Sequence, residues 1–450
     1  MKQRLTTFIF AGLCAALFIT RADAADYAAG FTVDENVSHN DNIQLVKTNK
    51  IAIAKNDLSP KLTFGINTET NKAQLDSTFN FNRYDKSEFN SNDQNIALAL
   101  SHQFESSSVG LNASYFHNTT LTSELLTSGR IGNKADRAEQ YTLSPNWSYT
   151  LNEINLIQLS GTYTTQNYGN NAYIGYKNTG VELDWIYLIN ERLKWTTAAT
   201  YSEYNSDNLT INVPNATFIA ASNDGNTYRV PADSFGQQSY STKMKDKGIQ
   251  VGLDYQWSEQ SQIITRLGRT KDDTTYPIHD LDSVCTNANY LSLPADIRAF
   301  TGALCSNVPH STNLLSTAEI DWTWSSELQQ LGLTATKSTQ PTSNGYAVDA
   351  LQLGSNWSYQ LSELDKISAS VSLVRNRAID KNNSRQNTSI ADRDYGSATL
   401  QYQRQLNEYW FVNASFQFSE QKYTQIDSQA SSRVYSLGIS YKPQQWHWAR

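Results

Sequence analysis

From about residue 29 onward the chain repeats one device: apolar and small polar residues take alternate positions for roughly ten residues at a time. Pro60, Leu62, Phe64 and Ile66 alternate with Lys61, Thr63, Gly65 and Asn67. Ile249, Val251, Leu253, Tyr255 and Trp257 alternate with Gln250, Gly252, Asp254 and Gln256, and Val412, Ala414, Phe416 and Phe418 with Asn413, Ser415 and Gln417. A period of two is that of a β-strand whose faces meet unlike surroundings. About ten residues is also the length a tilted strand needs to cross a hydrocarbon core.

A soluble sandwich shows the same period, so the spacing between strands decides. Short connectors fall near 68–72, 105–108, 151–153, 190–192, 258–261, 325–328, 361–363 and 405–408. Between them lie long ones at 116–138, 205–247, 271–312 and 377–392. Short turns at one end and long loops at the other are the pattern of an outer-membrane barrel, with the short set facing the periplasm. One strand near 29–38, sixteen around the eight short turns and a last one near 433–441 make about 18 strands, in a range of about 16 to 20. The expected fold is all-β: a transmembrane antiparallel up-and-down β-barrel with both ends of the chain on the short-turn side.

The short turns share a degenerate repeat. Asn146-Trp147-Ser148-Tyr149-Thr150-Leu151-Asn152-Glu153 recurs as Asn356-Trp357-Ser358-Tyr359-Gln360-Leu361-Ser362-Glu363, with weaker copies at 185–191, 255–259, 322–327 and 402–408. Trp147, Tyr149, Trp185, Tyr255, Trp257, Trp322, Trp324, Trp357, Tyr359 and Tyr402 are thereby expected to form an outward aromatic girdle, each group followed by a solvated acid. The opposite register turns Ser, Thr, Asn, Gln and Gly inward. With them go the lumen candidates Lys61, Asp76, Glu182, Asp184, Asp254, Arg266, Glu319, Asp321 and Lys366. A barrel of this size leaves a wet passage unless a segment fills it, and 209–240 and 277–309 are long enough to do so.

Composition agrees, with 25 Tyr and 10 Trp beside only two Met and nine Pro. At the N-terminus Lys2 and Arg4 precede an apolar stretch from Leu5 to Ile19 and then Ala22-Asp23-Ala24, which reads as a cleaved secretory signal over residues 1–24. Cys14 is read as part of its apolar stretch. The barrel is then expected over 25–443, with a short periplasmic tail over 444–450. Removing the signal takes three basic residues and one acidic one, so 36 minus 43 becomes 33 minus 42, a net charge of −9. That acidity argues against a nucleic-acid partner. Cys285 and Cys305 are expected to pair as one disulfide across a long loop in an oxidising compartment.

The six His are scattered, and no metal motif or nucleophile stands beside them, so neither an enzyme, a cofactor nor a metal site is expected. The expected partners are outer-membrane lipid and lipopolysaccharide, the barrel assembly machinery, and a polysaccharide.

Two further stretches carry a resemblance. Phe31-Thr32-Val33-Asp34-Glu35-Asn36-Val37-Ser38-His39-Asn40-Asp41-Asn42-Ile43, followed by Leu58-Ser59-Pro60-Lys61-Leu62, resembles the opening of the barrel porin-2-like group of outer-membrane proteins associated with exopolysaccharide operons. There a strand ends in Asp-Asn and the next begins at Ser-Pro, as Asp41-Asn42 and Ser59-Pro60 do here. The repeated Trp-x-Tyr-x-Leu-x-Glu hairpins are similar as well. The resemblance implies a porin-like channel, or an exopolysaccharide-associated component, for sugars or a nascent polymer. The end departs from the usual pattern: the chain runs past Tyr441 through Trp446 and Trp448 to Arg450, so Tyr435, Leu437, Ile439 and Tyr441 are read as the assembly signal. The competing reading is a closed structural barrel whose long loops bind matrix polymer or partners.

Overall fold

The computed structural model describes residues 25–124, 136–169, 173–207, 209–212, 218–221, 227–230, 237–275, 278–279, 310–379, 392–424 and 428–449. The signal segment and the Cys285 and Cys305 pair lie outside them. Eighteen long strands of 13 to 16 residues, each antiparallel to its chain neighbour, make one sheet. The sheet closes on itself: Asp26–Asn40 pairs with Ile53–Asn67 on one side and with Ser428–Tyr441 on the other. Closure leaves no open edge, which is what a sheet surrounded by lipid requires. The expected barrel and its strand number are therefore observed. No helix among the described residues is long and apolar enough to cross a membrane.

All eight short connectors stand where the sequence places them, and local chemistry makes them. In Asn152, Asn190 and Asn407 the side-chain oxygen accepts the backbone N–H two residues on, at 3.1, 2.9 and 2.9 Å. Ser258 and Ser362 do the same at 3.2 Å each. These are the self-bonding turns that Asn and Ser favour over strand continuation.

At the other end the strands run further into the expected loops than alternation suggested. Lys243–Ser258, Ser261–Thr275 and His310–Ser325 begin or end inside segments expected as loop. Lys243, Lys245 and Lys247 are exposed while Met244, Asp246 and Gly248 between them are buried. The period of two continues there with charge in place of hydrocarbon, so an apolar pattern could not reveal it.

The segment 444–450 also differs from the expected tail. Trp446–Ala449 is a strand that pairs with Asp26–Ala29, continuing the wall below Tyr441, and Trp448 stacks on Tyr27 at 5.5 Å. The opening strand starts three residues earlier than expected and needs a partner for those added backbone groups.

Candidate functional site: a crossed pore mouth and an acidic wall

Cross-strand register puts all nine lumen candidates on one face and all ten girdle candidates on the other. That face is the concave one. Arg266 and Glu182 lie on strands separated by two others, about 14 Å along the sheet at about 4.8 Å per step. Yet Arg266 Nη1 is 3.0 Å from Glu182 Oε1, and only side chains converging inside a curved sheet span that gap. Gly252 on an intervening strand makes the path: a Cβ there would lie 2.6 Å from the Thr265 carbonyl and 2.9 Å from Arg266 Cγ.

The outer face shows the opposite character. Ile249, Leu267 and Leu437 are 67, 59 and 66% exposed. The girdle pairs Trp147–Tyr149, Tyr255–Trp257 and Trp357–Tyr359 stand at ring distances of 5.9, 6.1 and 6.2 Å near the short turns. Indole N–H groups find polar partners at this level: Trp185 donates to Asn155 and Trp322 to Ser261, both at 3.0 Å. An aromatic body with a bonded polar tip suits a membrane interface.

Inside, the wall from Tyr176–Asn190 to His310–Ser325 is acidic. Glu182, Asp184, Asp246, Asp254, Asp272, Glu319 and Asp321 face the bore there against two cations, Lys194 and Arg266. Arg266 bridges Glu182 and, at 3.9 Å, Glu319, while Lys194 lies 3.6 Å from Asp254. Gln262 adds a 2.7 Å bond to Asp254. Elsewhere on the inner face Lys61 pairs with Asp34 at 2.6 Å. Asp76 accepts Gln74 at 2.7 Å. Lys366 stands in register with Gln360 and Gln403. Among the described residues no group of three or more His, Cys, Asp or Glu is placed to hold a metal ion.

The sequence reading missed the other half of the site. At the long-loop end, connectors from distant parts of the ring meet inside the mouth. Thr120–Ser123 forms one helical turn, whose cap Thr119 accepts the Leu121 N–H at 3.4 Å, and delivers Glu124 into the bore. Glu124 is 3% exposed. Its two carboxylate oxygens accept the hydroxyls of Tyr168 at 2.6 Å and Ser343 at 2.9 Å. Ser343 belongs to the 342–346 connector. Eight strands lie between that connector and the one holding Glu124 on one side of the ring and ten on the other. With a bore about 35 Å across between backbones, by strand spacing and tilt, this bond crosses the mouth.

Other contacts extend the crossing. Ile174 N–H donates to the Ser343 carbonyl at 2.7 Å, and the Tyr204 hydroxyl to the Thr342 carbonyl at 3.3 Å. Gly345 sits at φ +81°, where a Cβ would lie 2.7 Å from Ile174 Cδ1, so the turn needs glycine twice over. Burial holds the Tyr346 hydroxyl well above the ordinary tyrosine range, so it stays a donor. Leu45 packs on Val374, Tyr395 and Ala430, and Leu121 on Ile43, Ile53 and Phe89, so loops fill space beside the wall. The Asp41-Asn42 pair anchors the first loop to the last strand: Asp41 accepts the Arg433 N–H at 2.7 Å and Asn42 donates to the Ser431 carbonyl at 2.9 Å.

No family profile matches the chain, and no curated protein sequence does. Solved structures similar to it include the copper transporter OprC, at 10% identity and a TM-score of 0.43, over 89% of this chain and 61% of OprC. The ferric-catecholate import receptor Fiu of E. coli K12 is similar at 8% identity and 0.42, over 92% of this chain and 81% of that one. OccK1 (OpdK) of Pseudomonas aeruginosa is similar at 9% and 0.39, over 94% and 99%.

Proposed function

We propose that the chain spans the outer membrane as a porin-like channel, narrowed at its long-loop end by the contacts around Glu124. The observation that carries the reading is the contrast between the faces of one closed sheet. Leucine, isoleucine and tryptophan stand exposed on the outside with no second layer over them among the described residues. Such a surface is stable only against lipid. The inner face carries hydroxyls, amides and ionised groups, which need water.

Seven carboxylates against two cations on one wall make the passage favour cations and neutral polar solutes over anions. Carbohydrate fits the polar lining, and the resemblance to exopolysaccharide-associated barrels supports sugars as the solute. The girdle tryptophans and tyrosines stand on the lipid side, however, and the inward Tyr176 and Tyr204 are buried at the mouth. The competing reading, a closed barrel acting through its loops, draws support from the buried crossing at the mouth.

Planar-bilayer recording separates the two. The channel reading expects discrete conductance steps, cation-biased reversal potentials and block by added oligosaccharides. A purified, inserted barrel that conducts nothing, even with Glu124 replaced, leaves only the closed barrel. Conductance without oligosaccharide block removes the sugar while keeping the channel.

A further inference from the structure

The strands that present carboxylates to the bore present cations to the outside. Lys177, Lys243, Lys245, Lys247, Arg269 and Lys271 occupy outward positions near the long-loop end, on three strands with one more between them. Only two outward carboxylates stand among them, Glu203 and Asp273, which leaves an excess of four positive charges in an acidic chain. Lys271 pairs with Asp273 at 3.1 Å. Among the described residues the other five cations have no ion-pair partner. Lys247 moreover stands directly across from Lys271. Like charges opposite one another weaken a sheet, so this arrangement calls for an anion from outside the chain.

Position along the barrel says which anion. From the girdle residue Trp257 to Lys247 is ten residues along one face, about 33 Å of strand and about 25 Å along the axis at the usual tilt. That is the height of the apolar band of a membrane barrel, and Ile249, Val251 and Leu253 fill the interval. The lysines therefore stand where acyl chains end and headgroups begin. We propose that this patch binds the phosphorylated headgroup of a lipid in the leaflet at the long-loop end, its chains lying on Ile249, Val251 and Leu267. The proposal rests on the membrane-spanning reading above.

The test uses the whole barrel in detergent, titrated with diphosphorylated lipid A and read by native mass spectrometry. Phosphatidylcholine and inorganic phosphate serve as parallel probes. The comparison variant carries Lys243→Gln, Lys245→Gln and Lys247→Gln, and a second carries Arg at the same three positions. Near an anionic surface three cations correspond to an affinity loss on the order of a hundredfold for the Gln variant. The Arg variant should keep its lipid. Equal lipid A retention by the Gln variant and the wild type overturns the site. So does equal retention of phosphatidylcholine, or displacement of lipid A by inorganic phosphate at equal concentration. Bilayer conductance recorded on the same preparations keeps the two readings apart. A barrel that inserts and conducts but fails the lipid comparison overturns the lipid site alone, whereas a chain that stays soluble without detergent overturns both.

Discussion

Replacing Glu124 by alanine removes the acceptor for Tyr168 at 2.6 Å and, with the acceptor for Ser343 at 2.9 Å, the bond that crosses the mouth. A hydrogen bond to a charged group contributes about 1.5–3 kcal/mol net, and of the two only the Ser343 bond crosses the mouth, since Tyr168 stands on the strand paired with the one that follows Glu124. Water that enters the vacated space recovers part of this by satisfying the stranded hydroxyl, so about 1.5 kcal/mol is the working figure. At about 1.4 kcal/mol per tenfold, the balance between crossed and open mouths then shifts by on the order of tenfold toward open. The barrel should survive, because its strand pairing does not involve Glu124 and closure is complete without it. Single-channel recording in planar bilayers reads the outcome as a rise in open probability. Glu124→Gln should fall between alanine and wild type, since its amide keeps one acceptor. The reasoning is refuted if Glu124→Ala, folded and inserted normally, records with the open probability and conductance of the wild type.

Three other outcomes follow from the wall and its closure. Glu319→Gln with Asp321→Asn removes two of the seven inward carboxylates and should lower the cation-to-anion permeability ratio severalfold, read from reversal potentials under a salt gradient; an unchanged ratio would place the selectivity elsewhere. Gly252→Val forces a side chain onto the Thr265 carbonyl and the Arg266 stem, so it should destabilise the barrel by about 1–3 kcal/mol, seen as a lower melting temperature in detergent; a melt within error of wild type would contradict the close approach. Truncation after Tyr441 strips Asp26–Ala29 of one of its two partner strands and Tyr27 of its stacked Trp448, so the shortened chain should fold more slowly into vesicles than the full one.

How much of this could be read from the sequence depends on where a residue's partners lie. The short turns are readable because seven of the eight are closed by their own Asn, Ser or Thr within a few residues and the one at 105–108 by Gln103, and the girdle because Trp147 and Tyr149 take their face from the strand's own period. The acidic wall was readable as a set of inward residues, but not as a network, since Arg266 meets Glu182 from 84 residues away. Glu124 left no trace at all. It sits in a connector without periodicity, and its partners lie 44 and 219 residues along the chain. Among the described residues the crossing comes from 120–124, 173–175 and 342–346, while 209–240 and 277–309, the segments expected to fill the bore, lie largely outside the described residues. Length measures how far a loop can reach; it does not say which loops are anchored across from one another. The segment 444–450 follows the same rule, because Trp446–Ala449 becomes a strand only through the far end of the chain.

The two faces of Lys243–Ser258 and Ser261–Thr275 tie permeation and lipid contact to a single quantity, the register between these strands. Asp246 stands opposite Asp272 facing the bore, and Lys247 opposite Lys271 facing outward, one step along the same pair. Both pairings are repulsive in isolation, so the local charges do not favour this register. A slip of one residue by either strand would relieve them by setting Asp beside Lys. It would also turn that strand's Ile249 and Leu253, or its Leu267, into the bore and its carboxylates into lipid. Burying a carboxylate without a partner costs several kcal/mol, more than a like-charge pair exposed to water or headgroups. The repulsion is thus retained because the surroundings on the two sides differ, with water and small cations for the aspartates and phosphate for the lysines. It follows that neutralising the outward lysines relaxes one side only, leaving Asp246 and Asp272 in place and the cation preference of the pore unchanged.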